Sequence, residues 1–268
     1  MMNQNNSRWR KVGGNIYIWL VFLFLYLPII VVFTYSFNAS RMNILFEGFT
    51  THWYGTMLQD QVLMGAFQNS LIVCTASTVI STIIGTLGAI AIHRYNFLGK
   101  QFLENMLYIP IVIPEVVLGI SLLCVYTALS IPLSLNTIIY SHITFCIPFV
   151  VITVKARLAG LDNALEEAAM DLGARPFTAF YRITLPLLTP GIAAGALLSI
   201  TLSLDDVIVS FFTSGPDSQT LPLQIFSMVR TGVTPEVNAL CTLIMLVTIL
   251  LIVGNIFRQV RILKKSNQ

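Results

Sequence analysis

Six long apolar runs decide what this chain can fold into. They lie near residues 15–37, 68–92, 102–129, 134–154, 187–212 and 236–257. Each is long enough for a helix to cross a hydrocarbon layer about 30 Å thick. Hydrocarbon offers backbone N–H and C=O groups no water, so a spanning segment must satisfy them internally, as a helix does. Composition points the same way. Of 268 residues, 56% are hydrophobic and 10% are charged, against about 25% charged in an ordinary soluble domain. The expected architecture is an all-α integral membrane protein of six transmembrane helices, forming one transmembrane domain over residues 1–268.

The few charges orient it. With a cytoplasmic N-terminus, every one of the 15 basic residues except Arg41 and Arg230 falls on the cytoplasmic side. The excess of Lys and Arg in cytoplasmic segments then predicts that both termini lie inside. The first run follows Arg8, Arg10 and Lys11 and extends from Ile16 to Phe37. A signal peptide has an apolar region of only about 7–15 residues, so this run reads as an uncleaved span. A net charge of +3 is too small to suggest nucleic acid as a partner. Cys74, Cys124, Cys146 and Cys241 each sit inside an apolar run without a paired neighbour, and read as inert thiols.

Two runs carry signs of interruption or capping. The third contains LYIPIVIPEVV, where Pro110 and Pro114 each remove a backbone donor and predict a kinked or broken helix. The sixth begins TPEV, with Thr234 as cap, Pro235 in the first turn and Glu236 near the positive end of the helix dipole. The segment at about 155–186 reads KARLAGLDNALEEAAMDLGARPFTAFYRITLP. Asn163 with Glu166 resembles a capping box, residues 164–170 are good helix formers, and Gly173 is placed for a left-handed stop. A short helix, a tight turn and a second helix returning to the membrane are expected. Leu165, Ala168, Ala169 and Leu172 would form an apolar face on the cytoplasmic side, and such a face asks for a partner.

EAAMDLG, nine residues and then ITLP is similar to the "EAA" loop of the permease subunits of ABC importers. The matching residues are Glu167, Ala168, Ala169, Gly173, Ile183, Leu185 and Pro186. Further stretches, GFTTHWYGTML, HRYNFLGK, SHITFCIPFVVITVKARL, SLDDVIVSFFTSGP and VRTGVTPEVNAL, resemble the polyamine (spermidine/putrescine) permeases of that family nearly end to end. The resemblance implies a type I importer permease fold in a bacterial inner membrane. It implies a second homologous permease, two ATP-binding subunits docked on the loop at 155–186, and an external polyamine-binding protein. It implies no cofactor in this chain, ATP and Mg being bound by the partner subunits. In agreement, the sequence lacks a phosphate-binding G-x-x-x-x-G-K-[ST] loop.

The fifth run raises its own question, because Asp205 and Asp206 lie within SITLSLDDVIVSFF. On a continuous helix Ser199, Ser203, Asp206 and Ser210 share one stripe, with Thr201 and Asp205 beside it. At 1.5 Å per residue from an inner start near 187, the acids stand roughly 27–29 Å along the axis, in the outer half. A carboxylate at membrane depth costs about 2.5 kcal/mol or more unless it faces protein or water. A polyamine would relieve that cost, its ammonium groups taken by acids and its methylenes by aromatic walls. Glu115, just after Pro114, is the other acid at membrane depth, and Trp53 is an aromatic candidate at the outer mouth. The candidate substrate pathway is therefore Trp53, Glu115, Ser203, Asp205 and Asp206. A plainer role is also open: either aspartate pairing with Arg230 or a partner permease, or Asp206 bonding Ser203 or Ser210 for packing. His52, His93 and His142 show no ligand-like spacing and receive no role. A proton- or cation-coupled secondary transporter would account for the acids equally well, but not for the inner loop.

Overall fold

The computed structural model describes residues 3–41, 45–162, 164–229 and 234–266. The chain divides into two compact units, Met1–Met64 with Met228–Gln268, and Gly65–Ser227.

The first unit contains α1 (Asn3–Tyr35), α2 (His52–Gln59) and α12 (Pro235–Ser266), with α12 packed on both α1 and α2. Apolar side chains of α1 from Ile16 to Leu27 are exposed, as suits a surface solvated by lipid. Between α1 and α2 the chain is tied around Asn38, which is fully buried. Its side chain donates to Leu45 O at 2.7 Å and accepts from Glu47 N at 2.9 Å. Its own carbonyl accepts the indole N–H of Trp53 at 2.6 Å.

The second unit holds most of α3 (Gln61–Arg94), then α4 (Lys100–Val112), α5 (Glu115–Ala128), α6 (Leu135–Ala159), α7 (Ala164–Asp171) and α8 (Pro176–Ala179). A π-helical turn, Phe180–Thr184, leads into α9 (Leu185–Asp205), followed by α10 (Ile208–Thr213) and α11 (Leu221–Val229). Among the described residues of the whole chain, four helical stretches are long and apolar enough to span alone: Gly14–Tyr35, Gln61–Arg94, Leu135–Ala159 and Pro176–Asp205. The third predicted run is two helices, α4 and α5, bent by 111°. Ile113 and Pro114 take extended backbone between them, the outcome expected where Pro114 cannot donate. The sixth run lies within α12, whose stretch Pro235–Leu250 is apolar.

Helix α6 is the spine of this unit. It packs against α9, α10 and α4, and Ile138, Cys146, Val150 and Val154 along it are fully buried. Lipid tails are as apolar as leucine, so helices in a membrane associate through close approach of small residues. A Cβ on Gly85 of α3 would stand 2.6 Å from Val150 Cβ, and one on Gly191 of α9 would stand 2.7 Å from Arg157 Cβ. Arg157 adds a hydrogen bond from Nε to Leu187 O at 3.0 Å. Hydroxyls on outward faces bond back to the preceding turn, as in Thr144 to Tyr140 O and Thr201 to Leu197 O. They thereby need no water.

The segment between α6 and α9 is a short helix, a stop and a return. Gly173 has φ +91°, the left-handed conformation that glycine adopts without strain. Asn163, the cap of the expected capping box, lies outside the described residues. Arg94 of α3 holds the Glu166 carboxylate with both terminal nitrogens, one at 3.0 Å. Thr184 donates to the same carboxylate at 2.5 Å, and the Arg94 guanidinium lies over the Phe180 ring. Asp162 Oδ1 accepts the Ala164 N–H at 2.9 Å and starts α7. A second ion pair, Lys155 Nζ to Glu104 Oε2 at 2.9 Å, ties α6 to α4.

Two outcomes are expected. Gly85→Ala should destabilise the assembled protein by about 1–3 kcal/mol through overpacking. Gly65→Ala on the same helix, where an added Cβ meets nothing within 4 Å, should not, and thermal melting in detergent distinguishes them. The second outcome concerns Glu166. Burial pushes its carboxyl up, but the bonds from Arg94 and Thr184 and the guanidinium charge outweigh that, and its pKa is lowered. A depressed carboxyl stabilises above its free pKa of about 4.3 and loses the contribution as pH falls through the folded value. Hydrogen exchange over 164–172, corrected for intrinsic rates, should therefore speed up on acidification in the native chain. Glu166→Gln should be faster at neutral pH by about fivefold, the worth of a partly exposed pair near 1 kcal/mol, and should lack that acid step.

Candidate substrate cavity at two helix breaks

The break between α4 and α5 and the break between α9 and α10 face one cavity of about 230 Å³. Pro110, Ile111, Ile113, Glu115 and Leu118 line it from the first, and Leu202, Asp205, Asp206 and Val209 from the second. Phe145 and Phe149 of α6 complete the wall. Two features bring the breaks together. Helix α5 packs on α10, with Gly119 so close to Phe212 that an added Cβ would stand 2.7 Å from the ring. The α10 end is fixed to α6 by Thr137 Oγ1, which donates to Thr213 O at 2.8 Å.

The three acids have different surroundings. Glu115 opens α5, where a negative side chain meets the positive end of the helix dipole. It is exposed, as is Asp205, the last residue of α9. Asp206 is 8% exposed and stands in extended backbone, φ −65° and ψ 126°. Its Oδ1 accepts Val209 N at 3.1 Å and its Oδ2 accepts Ser210 N at 2.8 Å. The carboxylate thus caps α10 and supplies partners for N–H groups that a helix start leaves unmet. The fifth run is not one helix, and this cap is the physical reason. Ser199, Ser203, Asp206 and Ser210 all end up buried, but on two helices and the joint between them.

The joint has a partner that the sequence reading left without a role. His142 of α6 is fully buried. Its Nδ1 lies 2.8 Å from Ser203 Oγ on α9, and its Nε2 lies 3.1 Å from Ser210 Oγ on α10 and 3.3 Å from Asp206 Oδ2. Ser203 continues to Ser77 of α3 at 3.3 Å. A histidine inside SHITFC, at membrane depth, was the available signal, since ionisable residues there are rare and face protein or cavity. Ser203 is therefore a member of this network and does not line the cavity. Trp53 belongs to the other unit, where it is 4% exposed with its N–H committed to Asn38. Arg230, the suggested ion partner, lies outside the described residues.

On the loop between α6 and α9, Glu167 and Ala168 are exposed and Ala169 is half-buried on α7. Gly173 ends that helix, Ile183 lies in the π-helical turn, and Leu185 and Pro186 open α9. Leu165, Leu172, Phe177 and Tyr181 are exposed apolar residues of the same segment, the last two with stacked rings 6.4 Å apart.

Residues 81–263 match the family described as binding-protein-dependent transport system inner membrane component. The spermidine/putrescine transport system permease protein PotC of Escherichia coli (strain K12) is 46% identical over 235 residues, covering 88% of this chain and 89% of that protein. The putrescine transport system permease protein PotI of the same strain is 42% identical over 246 residues, 89% and 86% of the two chains. In three dimensions the chain is similar to a bacterial ABC transporter involved in import of the acidic polysaccharide alginate, with TM-score 0.72 and 16% identity over 97% of this chain and 99% of that one. The alginate likeness speaks for the fold alone. The family match over most of the chain and the close full-length relatives mean that this protein belongs to the inner membrane components of binding-protein-dependent transport systems.

Proposed function

We propose that the chain is a permease subunit of an ATP-driven importer of polyamines, spermidine or putrescine, and that the cavity at the two helix breaks is where the cation passes. The observation that carries the reading is the composition of that cavity: Glu115, Asp205 and Asp206 among Phe145, Phe149 and aliphatic side chains. A polyamine alternates ammonium groups with methylenes. Carboxylates compensate the first, and apolar and aromatic walls accept the second. The names of the relatives PotC and PotI agree with this substrate class.

In this reading Glu115 and Asp205 meet the ligand, and the outer segment held by Trp53 shapes the chain ahead of α3. The loop from Glu167 through Ala168, Ala169 and Gly173 to Ile183, Leu185 and Pro186 docks an ATP-binding subunit, with Leu165, Leu172 and Phe177 as apolar contacts. ATP and Mg belong to two such partners. A second, homologous permease completes the pathway, and an external polyamine-binding protein delivers substrate. Both termini face the cytoplasm.

Glu115→Gln and Asp205→Asn should each lower ATP-driven uptake of radiolabelled spermidine by about tenfold or more in proteoliposomes holding the assembled complex. That is the scale of one lost hydrogen bond to a charged group. Co-purification of the partner subunits checks assembly, and native uptake by both variants would sink the reading.

A further inference from the structure

We propose that His142 is a positioning residue for transport: it clamps Asp206 and both sides of the α9–α10 break, so that Asp205 and Glu115 are left to meet the cation. The inference rests on the cavity being the cation site.

Three observations carry it. First, Asp206 is engaged by the protein before any ligand arrives. Both oxygens accept backbone N–H groups of α10, and His142 Nε2 stands 3.3 Å from Oδ2. Its neighbour Asp205 lies open on the cavity wall. Secondly, the imidazole reaches across the break. One ring nitrogen contacts Ser203 at the end of α9, and the other contacts Ser210 in α10. A helix interrupted at membrane depth is tolerated where protein or a cavity meets its freed groups, and the side chains His142 touches stand on both edges of the interruption. Thirdly, the ring cannot swing freely. It is fully buried and lies tilted against Phe145, ring centroids 5.0 Å apart, and Phe145 is itself a wall of the cavity.

The chemistry follows from geometry. A bare Asp206 carboxylate would compete with Asp205 for an ammonium group one residue away. With His142 and the α10 amides around it, Asp206 fixes the backbone turn that aims Asp205 outward. The polyamine then meets two carboxylates from two different helix breaks, spaced by the cavity, and not two adjacent ones.

The test uses the assembled, reconstituted complex with saturating binding protein, measuring spermidine moved per ATP hydrolysed. His142→Leu should lower this ratio by about tenfold or more, the consequence of losing a hydrogen bond to a charged group. Asp206→Asn should do the same, and the double variant should be no worse than either single, since interacting residues are not additive. Glu115→Gln combined with His142→Leu should multiply. His142→Gln, whose amide nitrogen stands near the Nε2 position, should lower the ratio by only about threefold. A loss of structure alone would reduce uptake and ATP hydrolysis in proportion, leaving the ratio native, and that result overturns the proposal. So does a double variant that multiplies the two single losses. Should the leucine variant fail to assemble, His142→Gln decides: an unchanged ratio rejects the clamp. If Glu115→Gln and Asp205→Asn leave uptake unchanged, the cation-site reading fails. If they impair it while the His142 variants keep a native ratio, only the clamp fails.

Discussion

Backbone groups at membrane depth must be satisfied by the protein itself, and much of the second unit's shape is an answer to that demand. Two of its apolar runs are interrupted where water would be the usual remedy. At the first interruption Pro114 has no N–H to satisfy, and Glu115 starts the next helix. At the second, Asp206 takes up the free amides of α10 and His142 supports it from α6. Both solutions place carboxylates at the ends of broken helices. The same residues that make the interruptions tolerable thereby make the cavity acidic.

Helix α6 links this region to the loop that holds α7. It carries His142 at the break, Val150 against Gly85 and Arg157 against Gly191. Contacts this close leave little freedom for α3 and α9 to slide over it, because packed interiors yield by discrete repacking more readily than by continuous strain. The loop that follows α6 is in turn fastened to α3 through Arg94 and Glu166. A displacement of α7 is thus felt directly at the Arg94 end of α3, and at the start of α9 through Thr184.

Much of the architecture was legible in the sequence because it rests on local signals. The apolar runs recur as helices, and so do the break at Pro114, the left-handed stop at Gly173 and the start at Pro235, while Pro110 stays inside α4. What escaped depends on partners distant in sequence. The serine–aspartate stripe was read as one face of an unbroken helix, since nothing between Ser199 and Ser210 is a helix breaker. The interruption is set instead by capping from Asp206 and by a histidine about sixty positions earlier. Glu166 was read only for its local neighbours, and its bonds to Arg94 and Thr184 lie far along the chain. Trp53 looked like an aromatic surface, and its burial follows from a loop closed around Asn38. A single sequence does not reveal such pairings, because side chains of one type serve both roles.

Asp205 and Asp206 are chemically the same residue, and only the path of the backbone gives them separate work. That makes this joint sensitive to register. Inserting one residue just after Ser203 would carry Asp205 into the capping position and put Leu204 on the wall, while removing one would carry Asp206 to the wall and leave Val207 to start α10. In either case an aspartate still fills one position, and an apolar residue replaces the other. The tandem pair is thus a two-letter instruction that is read by position, and its length matters as much as its chemistry.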